Sequence, residues 1–207
     1  MRRKLPVFTE RSLGDIQAIR SNLAGRFEEE VRSDAQPLMC KAGCASCCYH
    51  PVRISILEGM VLFKHLVDHG RWSPSLKKKL AAHAALTSNL AMGIWLMSSI
   101  ACPLLDEKDR CIGYEARPFN CRVTFATGDP HYCHPHRIGE LTTIVPRVAA
   151  LEEFHKEEAA LLRRHGLWHL LVPVSKALLI GEKILSGDVD LEGADREILA
   201  EFKGGTV

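Results

Sequence analysis

Cys40-Lys-Ala-Gly-Cys44-Ala-Ser-Cys47-Cys48 places four cysteines in nine residues. The stretch has neither the 3.6-residue period of a helix nor the alternation of a strand, so it reads as a tight loop. Two residues between Cys44 and Cys47 let both sulfurs turn towards one point, the usual bite of a chelating pair. Cys40 lies one longer step upstream, and Gly43 gives the loop freedom to fold back. In extended backbone, neighbouring side chains point to opposite sides. Cys47 and Cys48 therefore serve one ion only if the chain bends sharply, and otherwise they serve a cluster or two adjacent sites.

Four more cysteines follow downstream. They are Cys102 and Cys111, which bracket Pro-Leu-Leu-Asp-Glu-Lys-Asp-Arg; Cys121 in Arg117-Pro-Phe-Asn-Cys121-Arg122; and Cys133 in His131-Tyr-Cys-His-Pro-His136. Residues 94–137 carry these together with prolines at 103, 118, 130 and 135. So long an irregular stretch is usually functional or held by something other than its own core. Eight thiolates satisfy two four-ligand sites, or one cluster with ligands to spare. The metal-ligand candidates are Cys40, Cys44, Cys47, Cys48, Cys102, Cys111, Cys121 and Cys133. A lone buried cysteine is often just a small apolar residue, a reading that weighs most on Cys133. His50, His131, His134 and His136 are further candidates, since neutral imidazole binds zinc and iron. Arg117 and Arg122 can offset thiolate charge or donate to sulfur. The plainer alternative for them is a surface position or an ion pair with Glu115.

Helical patterns flank the cysteine stretches. Ile16, Ile19, Leu23, Phe27 and Val31 form one apolar stripe before the first loop. Val52 and Ile54 alternate with Arg53 and Ser55, enough for a short extended piece. Ser55-Ile-Leu-Glu58 is a capping box opening a helix through Ile56, Met60, Phe63 and Val67, with a stop at His69-Gly70. Ser73-Pro74 starts another, with Leu76, Leu80 and Ala84 inward. Its Lys77-Lys78-Lys79 run reads as a solvated face. The uncharged stretch Ala84–Leu105 reads as the end of a buried helix and a loop into Cys102, since Asn89, Gly93 and Pro103 interrupt any membrane span. Helical spacing returns from about Arg147 through Val148, Leu151 and Phe154, again at Leu178, Leu179 and Ile184, and last at Glu192–Phe202. The expected fold is mainly α: a single helical domain over 1–207, with two irregular cysteine-rich metal-binding loops and at most short strands. Within it, 38–137 is the cysteine-cluster region and 138–207 a C-terminal helical segment.

Composition narrows the function. Of 207 residues, 46% are hydrophobic and 25% charged, an ordinary globular balance that excludes whole-chain disorder. A net charge of +2 and 6% aromatics leave neither the field nor the stacking surface expected of a nucleic-acid binder. The basic start, Met1–Pro6, is not followed by an apolar signal core, so a cytoplasmic protein is expected. A chain of this size has enough core to need no disulfides, and reducing cytosol keeps thiols free. No P-loop, GxGxxG, GxSxG or HExxH motif occurs, which leaves the commonest enzyme classes without support. Whether the protein is an enzyme stays open at this point.

Read together, Cys40–Cys48 with Pro51-Val52, Cys102-Pro-Leu-Leu105, Arg110-Cys-Ile-Gly-Tyr-Glu115 and Arg117-Pro-Phe-Asn-Cys-Arg122 resemble the YkgJ-like cysteine-cluster proteins, the CxxCxxCC family of zinc- or iron-chelating domains. The resemblance covers about residues 38–137. It departs from the family pattern in the three-residue step from Cys40 to Cys44 and in Gly113 before Tyr114. What it implies is a metal centre of zinc or iron. Three functions follow: a metal-binding protein with clustered thiolates, an iron–sulfur redox protein or enzyme component, and a zinc-stabilised interaction module. The metal ion is the expected partner, with no nucleic acid, no membrane and no protein partner assigned.

Overall fold

In the computed structural model, the structure describes residues 7–33, 40, 43–126, 130–133, 137, 144–146, 148–164, 168–189, 193–194 and 196. The architecture is mainly α. Helix α1 (Val7–Ser33) precedes the first cysteine loop, and β1 (Arg53–Ile54), α2 (Ile56–Asp68), α3 (Pro74–Thr87) and α4 (Met92–Met97) follow it. The second cysteine region holds α5 (Phe119–Val123) and β2 (Thr124–Ala126). Beyond it lie β3 (Ile144–Pro146), α6 (Val148–Arg164), β4 (Val172–Pro173) and α7 (Val174–Leu185). The strands form two antiparallel pairs: Arg53 and Ile54 face Pro173 and Val172, and Thr124–Ala126 run against Ile144–Pro146. No helix among the described residues is long and apolar enough to cross a membrane.

Helix α2 is the centre of the core. Ile56 through Phe63 are all buried, so this helix is enclosed on nearly every side, as its lack of a polar face dictates. It packs chiefly against α7 and, on another flank, against α1, while α3 also packs on α7 and α1 on α6. The approach of α2 to α7 is set by small residues. A Cβ on Gly59 would stand 2.4 Å from the Ala177 carbonyl oxygen, and one on Gly181 3.0 Å from the Met60 nitrogen. The last turn of α2 leaves the core: Val67, expected inward, is 46% exposed.

Caps fall where the side chains direct them. Ser73 accepts from the Leu76 N–H at 3.1 Å with Pro74 behind it, and Gly70 ends α2 at φ 65°. The capping box of α2 is only half made. Ser55 accepts from the Glu58 N–H at 3.1 Å, but the Glu58 carboxylate does not return to Ser55; it accepts the Phe119 N–H at 2.7 Å. A long-range partner has displaced the local one, and α5 is pinned to α2 as a result.

Two expectations need correction. The stretch after α3 is not the tail of one buried helix: α3 stops at Thr87, and the separate α4 buries only Trp95 while Met92, Ile94 and Met97 are exposed. Residues 94–137 are also less irregular than their prolines and glycines imply, because short 3-10 turns at Tyr114–Ala116 and Pro130–Cys133 accompany α5 and β2. Most of the expected helix at 192–202 lies outside the described residues.

Candidate metal centre

The sharp bend that Cys47 and Cys48 require is present. Both lie in a 3-10 turn, Ser46–Tyr49, where three residues complete a turn and successive side chains diverge by about 120° rather than 180°. Gly43, at φ 86°, enters the loop through backbone that a larger residue would strain. The first loop is then tied directly to the second, because the Cys102 N–H donates to the Cys48 carbonyl at 2.8 Å.

Cys102 and Cys111 are brought together by a short hairpin. Leu105 and Cys111 form an antiparallel bridge, and the Ile112 N–H donates to the Leu104 carbonyl at 2.9 Å. The turn is closed by Asp106, whose carboxylate accepts the Lys108 and Arg110 N–H groups at 2.9 and 2.8 Å and both guanidinium contacts of Arg110. Its aspartate and arginine are the signal by which the sequence marks a folded hairpin. Cys121 is presented by α5, anchored through Phe119, which is fully buried and stacked on Phe154 at 4.6 Å between ring centroids.

Six thiols thereby line one cavity of about 640 Å³: Cys44, Cys47, Cys48, Cys102, Cys111 and Cys121. His50, Tyr114 and Arg117 share its wall. Cys40 is exposed and Cys133 buried, and neither is among the lining residues. All eight cysteines are free thiols. A tetrahedral zinc ion sets its sulfurs about 3.8 Å apart, as follows from a Zn–S bond of about 2.3 Å. Among the described residues no three cysteine sulfurs lie within 4.8 Å of one another, so the thiols ring a chamber rather than close on a point.

The electrostatics suit a cation. The Cys47 thiol is lowered to about 7, first by a hydrogen bond from Cys48, against the effect of burial, with help from the Arg117 guanidinium. The same bond, with burial and nearby thiolates, raises Cys48. Burial pushes Cys102 up to about 12 and raises Cys111, and burial followed by the charges of Cys102, Cys47 and Cys111 raises Cys121 well above the ordinary thiol value. These groups oppose one another's ionisation because nothing positive but Arg117 and Lys79 offsets them. A soft or borderline divalent ion supplies that charge and deprotonates coordinating thiols. The donor set fits zinc or iron.

Arg117 and Arg122, alike in the sequence, part company in the fold. Arg117 lies over the Tyr114 ring at 4.3 Å, and its buried Nε has no hydrogen-bond partner. Arg122 donates to the Glu115 carbonyl and lines a different cavity with Arg20 and His65. The Glu115 carboxylate pairs instead with Arg71 and His65, each at 3.4 Å. His50 hydrogen bonds through Nε2 to the Cys133 carbonyl at 2.6 Å, leaving only Nδ1 for any other role. His131 begins no described side-chain contact, and His134 and His136 lie outside the described residues. Sequence reading missed Glu58 and the buried Arg20, whose guanidinium donates to the Ala116 and Arg117 carbonyls at 3.1 and 2.5 Å. Both act on the site only through distant backbone.

No curated protein and no solved structure is significantly similar to this chain. A family model named CxxCxxCC and described as "Putative zinc- or iron-chelating domain" matches residues 39–143, just over half of the chain and all of the cavity-lining cysteines. On that match, joined to six thiols facing one chamber, the chain belongs to the CxxCxxCC family of metal-chelating domains.

Proposed function

We propose that the protein holds zinc or iron through thiolates drawn from Cys44, Cys47, Cys48, Cys102, Cys111 and Cys121, with Cys40 and Cys133 outside the inner set. The observation that carries this reading is the bond from the Cys102 N–H to the Cys48 carbonyl, which holds the two cysteine loops against one cavity. Arg117 offsets the accumulated negative charge, and metal binding is coupled to the folding of residues 102–121. A reducing cytoplasm keeps all eight thiols available for this role.

A second reading, an iron–sulfur centre that moves electrons or serves an enzyme, is favoured by the number of thiols. Six donors around about 640 Å³ exceed what one tetrahedral ion uses. Elemental analysis and visible absorption of anaerobically purified protein separate the two. Colourless protein with zinc supports the first, and brown protein with iron and acid-labile sulfide supports the second. Protein that retains neither metal, and takes up neither after reduction, overturns both.

A further inference from the structure

Helix α6 and the segment before β4 carry a second group of metal-binding side chains, built without any sulfur. His155 and Glu158 stand three residues apart on α6 and so share one face. His169 is delivered to them by the chain entering β4. The possible ligand atoms of these three residues all lie within 4.8 Å of one another. Nε2 of His169 is 2.8 Å from Glu158 Oε2, and Nδ1 of His155 is 3.9 Å from that same oxygen.

A buried hydrogen-bond network accounts for part of this arrangement. Ser55 donates to the other carboxylate oxygen of Glu158, and His169 donates to Oε2, so the fully buried carboxylate has partners. It does not account for His155. Its Nδ1 is screened from solvent, lies beyond hydrogen-bond reach of Glu158 and has no partner. Leaving such an atom unsatisfied costs roughly 1–3 kcal/mol. The two imidazole rings are also close, at 5.2 Å between centroids, so protonating both sets two positive charges side by side. Neutral rings with lone pairs turned towards the carboxylate are the form that binds metals.

We propose that His155, Glu158 and His169 form a second cation site that takes a divalent first-row transition ion. Two imidazole nitrogens and one carboxylate oxygen suit zinc(II), iron(II) or cobalt(II), whereas magnesium and calcium prefer all-oxygen shells. With bonds of about 2.0–2.2 Å, ligand atoms on one ion stand about 3.0–3.5 Å apart, between the two distances observed. The ion replaces the His169–Glu158 hydrogen bond and gives His155 Nδ1 its missing partner. Ser55 stays on the remaining oxygen and orients the carboxylate. Three protein ligands leave open coordination positions. The signal in the sequence is His155-x-x-Glu158, which passes unnoticed because His169 joins it only after the chain has turned.

The test is a cobalt(II) titration of the reduced full-length chain without oxygen, followed by visible absorption. Cobalt on thiolates produces an intense charge-transfer band; cobalt on imidazole and carboxylate does not. The wild type is expected to take up one equivalent that adds nothing to the charge-transfer band. His155→Ala breaks no hydrogen bond, so it keeps the fold, checked by circular dichroism, and weakens that equivalent by at least about tenfold. Glu158→Gln has the same effect. Cys47→Ser alters the charge-transfer band and spares this equivalent, so failure of the thiol centre and failure of this site are told apart. Equal cobalt uptake by wild type and His155→Ala, or wild-type uptake confined to the charge-transfer band, overturns the proposal.

Discussion

Cys47 and Cys48 are adjacent in the chain yet have opposite acid–base character. Their mutual hydrogen bond makes one the acceptor and the other the donor, so Cys47 ionises near neutrality while Cys48 holds its proton. Cys47 is therefore the thiolate ready for the first bond to a metal, and Cys47→Ser is expected to lower metal content and the unfolding temperature together. Cys133→Ser, away from the cavity wall, is expected to leave metal content unchanged by elemental analysis. Equal losses in the two variants would remove the distinction between lining and non-lining cysteines. Glu58 gives a second test at this scale. Burial and then the neighbouring Glu158 carboxylate push it up to about 7, against the pull of Arg20. A carboxyl raised in the folded state contributes stability that is complete below about pH 4.5 and is lost as pH climbs to about 7. Glu58→Gln can still accept the Phe119 N–H and lacks this titration. Its stability relative to wild type, from denaturant unfolding, should rise across that window by a few kcal/mol and be flat on either side. His83, lowered to about 4 mainly by burial, runs the other way, gaining stability from about pH 4 to 6.5. It is common to both proteins and cancels in the difference.

At the scale of elements, the contact of α2 with α7 governs the rest. Gly59 and Gly181 let the two backbones meet, and Gly59→Ala drives a methyl into the Ala177 carbonyl, where no side-chain rotation relieves it. The expected cost is about 2–4 kcal/mol by denaturant unfolding, in line with overpacking of a close helix crossing. A cost below about 0.5 kcal/mol would mean that the helices slide apart freely. The consequence reaches the cysteines, because α2 carries Glu58, Glu58 holds α5, and α5 carries Cys121. From the opposite side, Arg20 of α1 fixes the carbonyls of Ala116 and Arg117. Neither tie is local, and both set where a thiol stands.

For the whole molecule, the two cysteine loops share few apolar contacts of their own and rest on the surrounding helices. Removing metal with a chelator should loosen residues 44–48 and 102–121 as a unit, while α2 and α7 keep their protection. Hydrogen exchange of the metal-loaded and chelated forms reads this directly. Loss of protection confined to one loop would show that the loops are held independently of a common centre.

Much of this protein was legible along the chain. Apolar spacing located α1, α2, α3, α6 and α7, because each buries a stripe that its own residues define. Ser73-Pro74 and Gly70 marked helix ends, since caps are local chemistry. Eight cysteines in a recognisable order named the family and the class of ligand. Other features had no local signature. Glu58 satisfies a local cap pattern but is taken by an amide 61 residues away, and Val67 falls on the apolar stripe yet lies where α2 runs out of neighbours. The sorting of six thiols onto one cavity, with Cys40 and Cys133 apart, depends on the bond from Cys102 to Cys48 and on the hairpin closed by Asp106. His169 meets His155 and Glu158 for the same reason. Periodicity and caps report what a residue does with its near neighbours; which distant side chains share a space is decided only when the helices pack.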